Sequence, residues 1–309
     1  MAAVPLTSAA LYERTAILVK DEGLNRLQHA NVLVAGVGGV GGHCAEALVR
    51  AGIGNVTIVD GDVVMTTNKN RQLIALDSTV GQSKVEVLAR RLRDINPRCV
   101  VTAVDGFILP VDMDRLLSAS HRLVEAHNDG RQTALEPDDD PHSSSSSSSP
   151  FTHVVDCIDS VECKVALLQA AVRHRVPCFS SGGAGGRLDP SLVGMKDLTE
   201  TEGDALLRIC RKELKETPGF TWGCVTCVCS AERPVPPLAP VKQDAGGRDR
   251  AVNGTISYMP PLYGLLLSSG VIRRAVDPKA DGKIAAELKK RMKKAAEKRV
   301  VVIKSTNDS

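Results

Sequence analysis

The stretch Asn31-Val32-Leu33-Val34-Ala35-Gly36-Val37-Gly38-Gly39-Val40-Gly41 decides the fold. Its first five residues are a short β-rich run, the next six a glycine-rich loop, and residues 43–51 behind them follow a helical pattern. A second β-rich run, NVTIV at 55–59, closes a strand–loop–helix–strand unit of about 30 residues, the size of a βαβ crossover. Glycines at Gly36, Gly38, Gly39 and Gly41 permit a tight turn and let backbone N–H groups approach a phosphate. The start of the following helix adds partial positive charge where the anion would sit. Asp60 ends the second strand, nineteen residues after Gly41, where an acid can hold ribose hydroxyls. The unit reads as a nucleotide site. To this point NAD and ATP are served equally.

Working outward, residues 83–95 form a charged amphipathic helix, 100–104 a third strand and 152–157 a fourth. A helix at 161–174 and a strand at 177–180 follow. Strands alternating with helices predict an α/β fold with a doubly wound, mainly parallel sheet. Two segments break the rhythm. Residues 127–150 run from acidic residues into seven consecutive serines, too polar to offset ordering entropy, and predict a disordered surface insertion. Residues 234–253, rich in Pro, Gly and charge, predict an exposed loop. The tail 271–304 carries twelve Lys/Arg against four Asp/Glu. It reads either as a solvated terminal helix or as a contact for a polyanion such as RNA or anionic lipid.

Composition bounds the rest. The 309 residues are 43% hydrophobic, enough for one large α/β domain or two modest ones. Aromatics at 3% argue against a base-stacking surface, and a net charge of +3 does not by itself imply nucleic acid. Nine cysteines, an odd number without a disulfide-framework spacing, fit a reducing compartment. The N-terminal residues lack the pattern of a secretory signal. The longest apolar stretch, 255–272, is interrupted by Pro260-Pro261 and reads as a buried helix rather than a membrane span.

The residues after Asp60 separate triphosphate from dinucleotide chemistry. Asn68-Lys69-Asn70-Arg71-Gln72 and Lys84 supply fixed cations and amides beside the phosphates. Hydride transfer needs no such set, whereas cleaving a triphosphate does, because charge develops on the departing pyrophosphate. Across the sheet, Asp156-Cys157-Ile158-Asp159 puts an acid just beyond the fourth strand, where Mg2+ could bridge carboxylate and phosphate. The plainer alternatives are surface salt bridges for Arg71 and Lys84 and a helix N-cap for Asp159.

Taken together, GxGGxG, DGD at 60–62, NxNRQ at 68–72, VGQSKVE at 80–86, INP at 95–97 and DCIDS at 156–160 resemble the ubiquitin-activating-type (ThiF/MoeB-type) adenylating enzymes. Within that superfamily the chain is most similar to the tRNA threonylcarbamoyladenosine dehydratase family, known as TcdA or CsdL. The stretches AGIG at 51–54, SGGAGG at 181–186 running to Asp189-Pro190, CVCS at 227–230 with Glu232, and Met259-Pro260-Pro261 carry that likeness. The resemblance covers roughly 11–275 outside the two insertions. It implies a Rossmann-like ThiF-type adenylation domain over 1–275, with a basic helical tail over 276–309 as a C-terminal extension.

The resemblance further implies ATP contacts from Gly36, Gly38, Gly39, Gly41 and Asp60, and support of ribose or metal by Asp62 and Asn70. Arg71 and Lys84 would hold the β- and γ-phosphates, and Asp159 would bind Mg2+. Arg14 fits the arginine that some relatives insert into a partner subunit's site. Cys227 matches a cysteine of the bacterial dehydratases and would capture the adenylate or receive a persulfide. Its other readings are a buried cysteine, or half of a zinc set with Cys224 that lacks a second CxxC. The implied reaction spends ATP to adenylate the threonyl carboxylate of a modified adenosine beside the tRNA anticodon, then closes a ring. The implied partners are tRNA and a second subunit in a homodimer, with a sulfur-relay or carrier protein as a further partner. The alternative function is activation of a ubiquitin-like or sulfur-carrier protein. The expected location is the cytoplasm, with the mitochondrial outer membrane a second location among eukaryotic relatives.

Overall fold

The structure is a computed structural model that describes residues 8–118, 121–123, 135–137, 149–221, 223–241 and 250–279. Most of the 127–150 segment, including 143–148 of the serine run, and the basic stretch 280–309 lie outside the described residues, and so do the expectations placed there. Within 127–150 the structure describes a short strand at Leu135–Pro137 and residues 149–150.

An opening helix α1 (Ser8–Gln28) leads into β1 (Asn31–Ala35), the glycine loop and α2 (Gly41–Ala51). Next come β2 (Asn55–Asp60), α3 (Lys84–Ile95), β3 (Val100–Asp105) and α4 (Met113–Leu117). A small antiparallel pair, β4 (His121–Leu123) and β5 (Leu135–Pro137), precedes β6 (His153–Asp156). The second half contains α5 (Val161–Arg173), β7 (Cys178–Ser181), β8 (Val193–Asp197), α6 (Ala205–Leu214) and β9 (Val225–Ser230). The pair β10 (Leu238–Val241) and β11 (Arg250–Val252) and the long helix α7 (Met259–Val276) complete it.

Seven strands form one sheet in the order β3-β2-β1-β6-β7-β9-β8, parallel except for β8, which runs antiparallel on β9. The expected doubly wound, mainly parallel α/β fold is the one observed. Its strand order reverses between β1 and β6, the position where ligands of such sheets bind. Alternation along the central strands divides the core between two faces. Val32 and Val34, with Val56, Ile58 and Val155, pack against α2, α3 and α7, while Leu33, Ala35, Val59 and Val154 pack against α4, α5 and α6.

The apolar stretch at 255–272 becomes α7, entered through Pro260 in its first turn, where proline has no amide bond to lose. It lies on α2 because Gly264 lets the backbones meet: a Cβ there would sit 2.3 Å from the Val40 carbonyl oxygen. Among the described residues no helix is long and apolar enough to cross a membrane. The 234–253 segment, read as an exposed loop, instead holds the β10–β11 ribbon, with 242–249 outside the described residues. The edge strand β8 was not legible in sequence, since its five residues VGMKD carry a glycine and a lysine and no alternating apolar face.

Candidate functional site

The glycine loop closes on itself. Gly36 has φ +86°, and its N–H donates to the Val59 carbonyl at 2.8 Å. A Cβ on Gly41 would lie 1.8 Å from the Gly36 carbonyl oxygen, so no other residue fits this turn. The loop also presses on the end of β6, where a Cβ on Gly36 would be 2.8 Å from the Cys157 carbonyl oxygen. On its other side Gly39 is flanked by Pro260 and Arg71, with a would-be Cβ at 2.9 Å from Pro260 Cβ and 3.3 Å from the Arg71 carbonyl oxygen. The first turn of α2 has no side-chain cap, which leaves amide donors for an incoming anion.

Asp60 ties this loop to the chain beyond β2. Its Oδ2 accepts the Val37 N–H at 2.8 Å and its Oδ1 the Asp62 N–H at 2.9 Å. Burial pushes the Asp60 carboxyl upward, opposed chiefly by the charge of Lys84. The backbone of 62–64 pairs with 81–84, as Val64 N–H donates to the Gln82 carbonyl at 2.8 Å and Lys84 N–H to the Asp62 carbonyl at 3.1 Å. That pairing sets the buried Lys84 ammonium 2.7 Å from the Asp62 carboxylate.

Arg71 is half-buried and donates to the Thr67 carbonyl at 3.0 Å and to Asn70 Oδ1 at 2.8 Å. Asn70 in turn donates to the Thr255 carbonyl at 2.9 Å. The 68–72 segment is therefore pinned both to the glycine loop and to the approach to α7. Two buried polar atoms in this region have no partner: Gln72 Oε1, whose amide nitrogen lies 3.6 Å from a would-be Cβ on Gly38, and Ser83 Oγ beside Lys84. Such orphans are uncommon in a finished core, and a bound polar group or an ordered water would satisfy them. A cradle closed to side chains, two unpaired polar atoms and two cations fit a nucleotide triphosphate.

On the far side of the switch point, Asp156 is fully buried against Lys164, and Asp159 is exposed just past the end of β6. The helix that begins there takes Ser160 as its N-cap residue, not Asp159. Among the described residues no three His, Cys, Asp or Glu side chains gather as a metal cluster. Beyond β7 the 181–186 turn is held by buried Arg187 and Asp204. Asp204 Oδ2 accepts the Gly183 N–H at 2.9 Å, and Arg187 Nε donates to the Gly183 carbonyl at 2.9 Å. The Lys164 and Arg187 networks were not legible in sequence as networks, because each draws partners from several separate segments, Asp156, Ser180 and Ser181 for the one and Gly183, Asp204 and Ser230 for the other.

Two expected residues stand apart. Cys227 lies wholly buried in β9, facing the α5–α6 core, and burial pushes its thiol well above the ordinary cysteine range. Because the thiolate is the reactive species, this enclosure favours the buried-cysteine reading of Cys227 over capture of an adenylate or a persulfide. Arg14 is exposed on α1. Within one chain it is not brought to the glycine loop by any described contact.

Comparison with known proteins supplies the context for this geometry. The sequence model of the ThiF family matches residues 12–302. The chain is 36% identical over 228 residues to tRNA threonylcarbamoyladenosine dehydratase of Escherichia coli K12, covering 72% of this chain and 74% of that protein. It is 29% identical over 267 residues to the Bacillus subtilis protein of the same name, covering 84% and 92%. A crystal structure of the E. coli enzyme, TcdA, in complex with ATP matches with a TM-score of 0.71 at 31% identity, covering 90% and 99% of the two chains.

Proposed function

The chain belongs to the ThiF family, and from that premise we propose that it is an ATP-dependent tRNA threonylcarbamoyladenosine dehydratase. The observation that carries this reading is the extent of the likeness to the E. coli dehydratase, in sequence over 72% of this chain and in an ATP-bound structure over 90% of it.

The substrate is a threonyl carboxylate carried through a ureido group on the adenosine beside the anticodon. A carboxylate is already ionised at neutral pH, so its attack on the α-phosphorus of ATP needs no general base. It needs alignment and relief of like charge. One carboxylate oxygen bonds to the α-phosphorus as the bond to the β-phosphate oxygen breaks, and pyrophosphate leaves. A neighbouring atom of the ureido group then attacks the activated carbonyl carbon, giving up its proton to solvent, and AMP departs. The elements of one water are lost from the nucleoside.

The amides of Gly38, Gly39 and Gly41 face the phosphates, Gly36 shapes the turn with its positive φ while its own N–H is taken by the Val59 carbonyl, and Asp60 holds the ribose. Arg71 and Lys84 stabilise the departing pyrophosphate, with Asp62 keeping Lys84 aligned and Asn70 keeping Arg71 aligned. Asp159 would hold Mg2+, an ion for which one protein carboxylate commonly suffices. When bound, the ion neutralises phosphate charge. Cys227 has no part in this scheme. In a homodimer Arg14 would reach the site of the partner copy. The enzyme works in the cytoplasm or against the mitochondrial outer membrane, alternatives that cell fractionation separates.

The test is deletion of the gene followed by mass spectrometry of tRNA nucleosides. Loss of the cyclised nucleoside, with accumulation of the open form, is expected. An undiminished cyclised form together with ATP–pyrophosphate exchange driven by a carrier protein would overturn the tRNA reading and favour carrier activation.

A further inference from the structure

Asp156 and Lys164 are both completely buried, which is costly for two charges and unnecessary for packing, since an apolar pair of similar volume would fill the same space. The endpoints of their hydrogen bonds give the pair a purpose. Lys164 Nζ donates to Asp156 Oδ2 at 2.5 Å, to Ser180 Oγ at 3.3 Å and to the Ser181 carbonyl at 3.0 Å. Ser180 Oγ donates to the same Asp156 oxygen at 2.6 Å. The other oxygen, Oδ1, accepts the Ile158 N–H at 3.1 Å. Burial would draw the lysine down, yet the Asp156 carboxylate more than offsets it and keeps the ammonium charged.

The network thus ends on two turns that face the site. One is the 156–158 turn, whose Cys157 N–H donates to the Ala35 carbonyl at 2.8 Å and whose Cys157 carbonyl abuts Gly36. Asp159 comes immediately after it. The other is the end of β7, directly before Gly182. The first lies at the β1/β6 switch point, where a shift of the turn would move Asp159 relative to the glycine loop, and the second lies on the next strand, β7, paired to β6.

We propose that Lys164 is a positioning residue for adenylation, acting through Asp156 to set the 156–158 turn against Gly36 and so to place the Asp159 carboxylate. The inference rests on the nucleotide reading of the site. Lys164 touches no substrate; it orders the backbone that carries Asp159.

The test uses the full-length chain and two variants. Asp156→Leu/Lys164→Met replaces the buried pair with an apolar one and removes the anchor of the turn. Ser180→Ala removes only the hydroxyl between the two charged groups. The readouts are affinity for Mg2+–ATP by titration calorimetry, hydrogen exchange at the Ile158 amide, and thermal unfolding. The double variant should keep a cooperative melt while binding Mg2+–ATP at least tenfold more weakly and exchanging the Ile158 amide at least tenfold faster. Ser180→Ala should weaken binding two- to fivefold. A folded double variant with unchanged affinity overturns the positioning role. If the double variant fails to fold, unchanged affinity in Ser180→Ala does so instead. Wild-type protein that binds no Mg2+–ATP overturns the nucleotide reading itself, and the inference with it.

Discussion

The Lys84 ammonium sits 2.7 Å from the Asp62 carboxylate, with the lysine side chain 7% exposed and the aspartate 57%. The cation is therefore held from one side by an acid that remains largely in water, and its position is set by the backbone pairing of 62–64 with 81–84. This is a charge oriented before its ligand arrives, the arrangement that makes electrostatic stabilisation effective in a reaction.

Lys84→Ala is expected to lower ATP–pyrophosphate exchange by about 10²–10³-fold, the usual effect of losing one preorganised donor. The fold should survive, because the partner Asp62 is exposed and is not left as a buried charge. Exchange assays beside a circular dichroism melt check both parts, and unchanged exchange would remove Lys84 from the site.

Gly41→Ala places a methyl group 1.8 Å from the Gly36 carbonyl oxygen by direct extension of the backbone. The loop must open to accept it. The expected cost is on the order of 3 kcal/mol or more in stability, with loss of ATP binding. Denaturant titration with and without ATP measures both.

Cys227→Ser should leave exchange within about twofold of wild type, since a buried neutral thiol performs no nucleophilic step. In native protein Cys227 should also resist alkylation, read by peptide mass spectrometry. A large loss of exchange in a stably folded Cys227→Ser protein would reinstate the cysteine in the mechanism.

His153 gives a pH signature. Burial first, and then Arg274, depress its imidazole from 6.5 to about 4. The folded state thus holds it neutral, while the unfolded chain takes up a proton below pH 6.5. The stability associated with the neutral ring is fully present above that pH and is lost as pH falls from 6.5 towards 4. The loss amounts to about 3 kcal/mol at 1.36 kcal/mol per pH unit. Urea melts across this range should show the slope in wild type and a shallower one in His153→Leu.

Lys20 interrupts α1 with φ 61° and ψ 175°, backbone angles that favour glycine. Lys20→Gly should raise stability by about 1 kcal/mol by relieving that strain, seen as a melting shift of about 2–4 °C for a domain of this size. An unchanged or lower melting temperature would show that the kink carries no strain.

What the sequence determined by itself lies within short spans of chain. The strand–glycine loop–helix–strand unit at 31–60 could be read directly because its hydrophobic periods, its glycines and Asp60 all sit within one crossover. The parallel sheet was legible in the rhythm of later strands. Arg71, Lys84 and Asp159 were named from their order along the chain, although sequence could not say that Lys84 leans on Asp62 or that Asn70 reaches Thr255, 185 residues away. The tertiary structure alone decided the contacts formed across strands. It put Cys227 in the core rather than at the site, assembled Lys164 with Asp156, Ser180 and Ser181, and laid α7 over α2 through Gly264. The division has a physical origin. Local chemistry fixes which backbone conformations are accessible, whereas burial and hydrogen-bond partnership depend on which distant strands the sheet makes neighbours.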